Sequence, residues 1–191
     1  MSETRETKNQ KGARPYDIEG HREELVDHYW GSINYVFSLI KASEIKAGLI
    51  LSFYGILLNL IYRNIGEVMT IASDGHYLLY IPVALWMLST IASIYYSIRC
   101  FMPRMETSYG KNLFFFKDII SKYGNIKEFS KEFYHTSLDE VELFDQLGQQ
   151  IYINSKIADL KFRSVNRSIR FLALGLILLF IVGLWYLVIT V

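Results

Sequence analysis

The chain has 191 residues, 51% of them apolar and 20% charged, and the charges nearly cancel to a formal +1. A mean hydropathy of +0.19 excludes a disordered chain, and the balanced charge excludes a strongly basic nucleic-acid binder. A single cysteine, Cys100, leaves no disulfide framework and no cysteine-based metal site.

Residues 1–15 are polar and without apolar periodicity, and they read as a disordered tail. A cleaved signal peptide is not expected, because a long polar leader precedes the first apolar run. From residue 16 the pattern turns helical. Asp17 is a plausible N-cap, and Leu25, Tyr29, Ile33, Val36 and Ile40 fall on one side of an amphipathic helix over residues 16–46. That helix needs a partner for its apolar face and can run on into a first transmembrane helix over residues 47–62.

A short loop, residues 63–76, separates it from a second span over residues 77–99. Pro82 sits early in this span, where a missing N–H costs little, and Pro103 stops the helix after it. A third span covers residues 171–191. The longer runs suit a hydrocarbon core of roughly 30 Å, which takes ~20 helical residues. Seven Lys or Arg precede the first run and twelve lie between Arg99 and Arg170, against Arg63 alone in the short loop. By the positive-inside rule the N-terminus and the long middle segment are cytoplasmic, while the short loop and the C-terminus lie outside.

The middle segment, residues 100–170, reads as a cytoplasmic helical segment. Its pieces are a short helix from Phe114 to Lys122, a break at Tyr123-Gly124, a second short helix from Ile126 to Phe133, and a capping box at Ser137–Glu140 that opens a long helix into the third span. Three consecutive phenylalanines, Phe114 to Phe116, do not suit a fully solvated position. The predicted fold class is thus an all-α integral membrane protein. It has three transmembrane helices and a cytoplasmic helical domain, formed by the N-terminal helix and the segment between the second and third spans.

Chemistry is thinly represented. His21, His28, His76 and His135 lack metal-ligand spacing, and no Walker loop, G-x-G-x-x-G or nucleophile elbow occurs. Asp139, Glu140 and Asp145 are explained by a helix N-terminus. The spans carry only weak polar groups such as Ser52, Asn59, Ser89, Thr90 and Ser93. No catalytic residues, metal or cofactor are expected, and the chain does not read as an enzyme. The basic run Lys156, Lys161, Arg163, Arg167 and Arg170 serves topology and lipid contact, or in part an anionic ligand. In "SEIKAGLILSFYGILLNL", residues 43–60, Glu44 and Lys46 stand about 200° apart on a helix and do not pair. Lys46 can snorkel to headgroups. Glu44 at the membrane boundary gains nothing from anionic lipid and is expected to meet Lys41 or a cation of another helix, with Arg163, Arg167 and Arg170 at the right depth.

"SEIKAGLILSFYG", "NLFFFKDIISKYG", "KEF" and "LGQQIYINSKIADLKFRSVNRSIRF" together resemble the Pycsar effector transmembrane (PycTM) family over roughly residues 30–190, in order and with matching gaps. The first is similar to that family's A-D-x-K-A-G-x-x-L motif, with Ser43-Glu44 in place of Ala-Asp and the negative charge kept. The resemblance implies an anti-phage defence effector that responds to a cyclic pyrimidine nucleotide, cCMP or cUMP, made by a nucleotide cyclase. It further implies impairment of the bacterial cell inner membrane, with growth arrest or abortive infection. The implied partners are the nucleotide, the bilayer, the cyclase and further copies of the chain in a homo-oligomer, with no nucleic acid. Candidate nucleotide contacts are Phe115, Phe116, Lys122, Tyr123, Gln150, Asn154 and Lys161, or the phenylalanines are core; Glu44 and Lys46 are candidates for coupling at the membrane boundary. The alternative is a membrane scaffold or adaptor that docks a protein through its cytoplasmic helices. It predicts an uncovered apolar face between Leu25 and Ile40.

Overall fold

A computed structural model describes residues 15–64, 66, 80–102 and 110–190. The chain forms α1 (Pro15–Arg63), α2 (Tyr80–Phe101), α3 (Phe116–Ser121), α4 (Ile126–Leu138) and α5 (Glu140–Thr190), with no strand among the described residues. The tail, most of the 63–76 loop, Tyr77 and Pro103 lie outside the described residues, as does the side chain of Asp17. Three helices, α1, α2 and α5, are long and apolar enough to cross a membrane. The all-helical, three-span fold class therefore stands.

α1 runs unbroken for 49 residues and α5 for 51. Neither depends on intrinsic propensity alone, since a helix of this length also buries one face along its course. In α1 that face is Ile33, Val36, Ala47, Ile50 and Tyr54, all buried. The uncovered apolar face required by the adaptor reading is accordingly absent at Ile33 and Val36, which are 2% and 8% exposed.

Two compact units divide the chain, Met1–Tyr35 with Gly110–Tyr152, and Val36–Tyr109 with Ile153–Val191. In the first, α1 packs on the start of α5 through Tyr29 and Phe144, ring centroids 5.2 Å apart, and Arg22 reaches Glu140 at 3.1 Å. A chain of edge and tilted ring contacts joins Trp30, Phe114, Phe133, Phe129 and Tyr123 at centroid spacings of 6.0, 5.9, 5.8 and 5.3 Å. Such pairs contribute roughly 0.5–1.5 kcal/mol each beyond their burial. The phenylalanine run divides as its hydrophobicity requires: Phe114 and Phe115 turn inward, whereas Phe116 is 72% exposed.

Two boundaries differ from the sequence reading. α4 continues to Leu138, so Ser137 lies inside it and donates to the Phe133 carbonyl at 2.7 Å instead of capping α5. The cap is Asp139, whose Oδ1 accepts from the Val141 and Glu142 amides at 3.0 and 3.2 Å. A carboxylate there also complements the helix dipole, which a serine cannot do. α3 spans only Phe116–Ser121.

The second unit contains the latter half of α1, α2 and the latter half of α5. Ala47, Ile50, Tyr54, Cys100 and Val165 form its core, flanked by Leu57, Ile94 and Leu172. Along α2, Ser89, Ser93 and Ser97 recur every four residues and so face one side. They meet α5: Ser89 donates to the Phe171 carbonyl at 2.7 Å, Ser93 Oγ and Ser168 Oγ lie 3.0 Å apart, and Ser97 Oγ lies 2.7 Å from Ser168 Oγ. Small hydroxyl residues permit this close approach and satisfy themselves across it, as helix contacts in lipid require.

Candidate functional site

The polar geometry of the second unit centres on Lys161. Its ammonium lies 2.6 Å from Glu44 Oε1 and donates to the Cys100 carbonyl at 3.0 Å. The Lys161 side chain is only 6% exposed and Glu44 40%. A buried ammonium requires such partners, because removing it from water unpaired costs several kcal/mol. Cys100 falls in the last turn of α2, whose final carbonyls have no intrahelical donor, so Lys161 also satisfies a helix end. One side chain thereby ties α1, the end of α2 and α5 together.

Glu44 thus meets a cation on α5, but that cation is Lys161 and not Lys41, Arg163, Arg167 or Arg170. Arg163 is occupied within α5 by Asp159 at 2.9 Å, and Arg167 lies over the Tyr96 ring at 5.6 Å from its centroid. Arg170 lies on the exposed side of α5. Lys46 is exposed, with its ammonium 5.5 Å from the Phe162 centroid. Cys100 is fully buried and its Sγ donates to the Ser43 carbonyl at 3.6 Å, which leaves no accessible thiol for lipidation.

Elsewhere in this unit, Tyr54 OH and Thr90 Oγ1 are buried without a hydrogen-bond partner among the described residues. Each orphan hydroxyl costs about 1–3 kcal/mol relative to a satisfied or apolar group. The packing observed here therefore carries a local penalty next to a satisfied serine seam.

In the first unit the segment Gly110–Phe115 has no regular structure, so its backbone must be satisfied by side chains. Asn112, fully buried, does most of this. Its Oδ1 accepts from the Phe114 amide at 2.9 Å, its Nδ2 donates to the Gln146 carbonyl at 2.9 Å, and its own amide donates to Asp118 Oδ2 at 3.1 Å. Gln146 Oε1 accepts from the Leu113 amide at 3.1 Å. Lys122 closes the segment by donating to the Gly110 carbonyl at 3.0 Å while pairing with Asp118 at 3.0 Å. Beside it, the Lys111 ammonium lies 4.0 Å from the centroid of the Tyr123 ring. Burial and the nearby carboxylates of Glu132, Asp118 and Glu142 push the Tyr123 phenol above its ordinary value.

The seven candidate contacts therefore divide. Phe115, Phe116, Lys122 and Tyr123 belong to this one segment of the first unit, and Gln150 lies buried on α5 in the same unit. Asn154 and Lys161 belong to the second unit, where Lys161 is held by Glu44. Lys111, Asn112, Asp118 and Gln146 were not singled out by sequence reasoning. The only signal for them was an Asn and an Asp flanking an apolar run, a pattern as common in solvated turns. Among the described residues, no group of three or more His, Cys, Asp or Glu side chains could hold a metal ion.

A family model described as "PycTM: Pycsar effector protein domain" matches residues 28–188, most of the chain. The chain belongs to the Pycsar effector family. No curated protein and no solved structure matches it. Membership makes it an anti-phage defence effector, and its three membrane-capable helices make it a multi-pass membrane protein. Within this Pycsar effector, the match takes in Glu44, Lys161 and the whole 110–123 segment.

Proposed function

We propose that the protein senses a cyclic pyrimidine nucleotide, cCMP or cUMP, made by a cognate cyclase on infection, and answers by impairing the inner membrane so that growth stops. The observation that carries this reading is the family match, which extends over both helical units and all three candidate spans. The N-terminus and the 110–152 segment face the cytoplasm, in keeping with their share of the basic residues. The chain acts as a homo-oligomer.

In this reading the first unit takes the nucleotide. Lys111 offers positive charge to the phosphate, the exposed Phe116 ring offers a face to the base, and Lys122, held by Asp118 and the Gly110 carbonyl, fixes the segment that carries them. Phe115, Tyr123 and Gln150, buried in the same unit, answer by repacking. Asn154 and Lys161 belong to the response. The tie from Lys161 to Glu44 is the coupling element, and a ligand that favours one packing shifts the population between a closed and an open arrangement of the spans. The orphan hydroxyls of Tyr54 and Thr90 support the existence of a second arrangement, since wetting would satisfy both.

Purified full-length protein in dye-loaded liposomes tests this. Leakage is expected to rise with cCMP or cUMP and to stay at baseline with neither. Equal leakage under all conditions overturns the reading. Glu44→Gln is expected to leave nucleotide binding unchanged while altering leakage, which separates coupling from sensing.

A further inference from the structure

Contacts within the second unit fix the depth of its helices against one another. Lys161 is level with Glu44 and the Cys100 carbonyl, and Phe171, whose carbonyl accepts from Ser89, is level with Ser89. Nineteen residues separate Glu44 from Arg63 on α1, and nineteen separate Tyr80 from Arg99 on α2. At 1.5 Å per residue each interval is about 28 Å, close to one hydrocarbon thickness. Apart from Lys46 near one end, neither interval contains a charged residue. α1 and α2 thus agree on one bilayer slab, with Ser89 near its middle.

α5 does not keep to that slab. Its charge-free run begins only after Arg170, which stands beside Phe171 and therefore near mid-depth. Setting the slab by α5 instead would put Arg63 at mid-depth and the exposed Ile45, Leu49 and Ile98 in water, so the placement shared by α1 and α2 is the better one. α5 packs through Lys161, Val165 and Ser168, all buried. Arg163, Asn166 and Arg170, at steps of three and four residues, are exposed on the opposite side, roughly 180° round the helix. Arg163 pairs with Asp159, whereas Asn166 and Arg170 make no hydrogen bond or ion pair among the described residues. At the same depths the outward residues of the other two helices are apolar or aromatic: Leu49, Phe53, Ile91 and Tyr95.

A guanidinium in hydrocarbon is costly, and charges at membrane depth face water or protein. Arg170 lies nine residues, about 13 Å, beyond the Lys161 level, and snorkelling recovers only part of that depth. We infer that the Arg163, Asn166 and Arg170 face of α5 borders an aqueous path through the membrane that favours anions. The face is on the outside of a single chain, so copies of the chain must surround it to hold water there, and the path runs between their α5 helices. Arg170 from each copy then forms a ring of positive charge, the device by which anion pores select. Arg163, offset by Asp159, adds less. Such a path rests on the membrane impairment proposed above and gives it a route. Lipid phosphates drawn in toward the arginines are the competing occupant, and they would leave Asn166 in hydrocarbon.

Full-length protein in proteoliposomes, with and without cCMP or cUMP, tests this by thiol chemistry, because the thiolate that reacts with a methanethiosulfonate forms in water. The wild type sets the baseline, its one thiol being buried. Asn166→Cys and Arg170→Cys are expected to react with the membrane-impermeant sulfonatoethyl reagent about tenfold faster, or more, than Leu49→Cys and Ile91→Cys at matching depths. Arg170→Glu is expected to lower the preference of the leak for chloride over potassium by about tenfold. Equally slow modification of all four cysteines overturns the path, whatever the nucleotide does to leakage, and assigns the arginines to lipid phosphates. A leak whose ion preference ignores Arg170→Glu also overturns it. Fast modification of Asn166→Cys with a leak indifferent to nucleotide supports the path and overturns the sensing reading instead.

Discussion

The two units are built on opposite plans. In the first, the buried residues include Ile33, Leu113, Phe115, Tyr123 and Leu147, a chain of ring contacts runs from Trp30 to Tyr123, and polar groups mostly serve one irregular segment. In the second, the fully buried set includes Ser43, Ala47, Ser93, Ser97 and Ser168, while Leu49, Ile56 and Leu88 point outward at 65% exposure. Water drives large apolar groups inside, whereas lipid is as apolar as leucine and offers no such drive, so close approach and hydrogen bonds hold the helices instead. The same backbone element, α1 or α5, follows the first rule at one end and the second at the other.

The comparison is broken most severely at Lys161. Replacing it with Met leaves Glu44 and the Cys100 carbonyl without their donor, and an expected loss of roughly 3 kcal/mol, lowered by the solvent access of Glu44, appears as a reduced thermal midpoint in detergent. Adding Glu44→Gln to that variant is expected to recover part of the loss, and a strictly additive double mutant argues against a coupled pair. In the first unit the corresponding point is Asn112. Asn112→Ala strips partners from the Phe114 amide and Gln146 carbonyl and costs about 2 kcal/mol, read by denaturant unfolding and by faster hydrogen exchange over residues 112–118.

Smaller effects sharpen the contrast within the second unit. Ser168→Ala removes the centre of the serine seam and destabilises by about 1 kcal/mol, while Thr90→Val removes an orphan hydroxyl and stabilises by a similar amount. Opposite signs for two hydroxyl deletions in one helix pair are the expected outcome of a melting comparison. The smallest effect is at high pH. Because the folded Tyr123 holds its proton above the ordinary range, the unfolded chain releases its proton first. The contribution is complete below pH ~10 and is lost as pH rises through the folded value. Tyr123→Phe is expected to flatten that alkaline decline.

Much of this was legible in the residues. Apolar runs, loop charges and the spacing of Leu25, Tyr29, Ile33 and Val36 follow from local patterns, so three spans and a packed amphipathic lead-in could be read directly. The separation of Glu44 from Lys46 followed from helical geometry alone, as did the expectation that Glu44 meets another helix. Which cation it meets did not follow. Lys161, Arg163, Arg167 and Arg170 share a composition and a region, and only the packing of α5 against α1 and the end of α2 turns Lys161 inward. Asn112 was silent for the same reason. Its partners Asp118 and Gln146 lie 6 and 34 residues away, and a hydrogen bond over such a distance is decided by how elements pack, whereas a span is decided by the solvent its own side chains prefer.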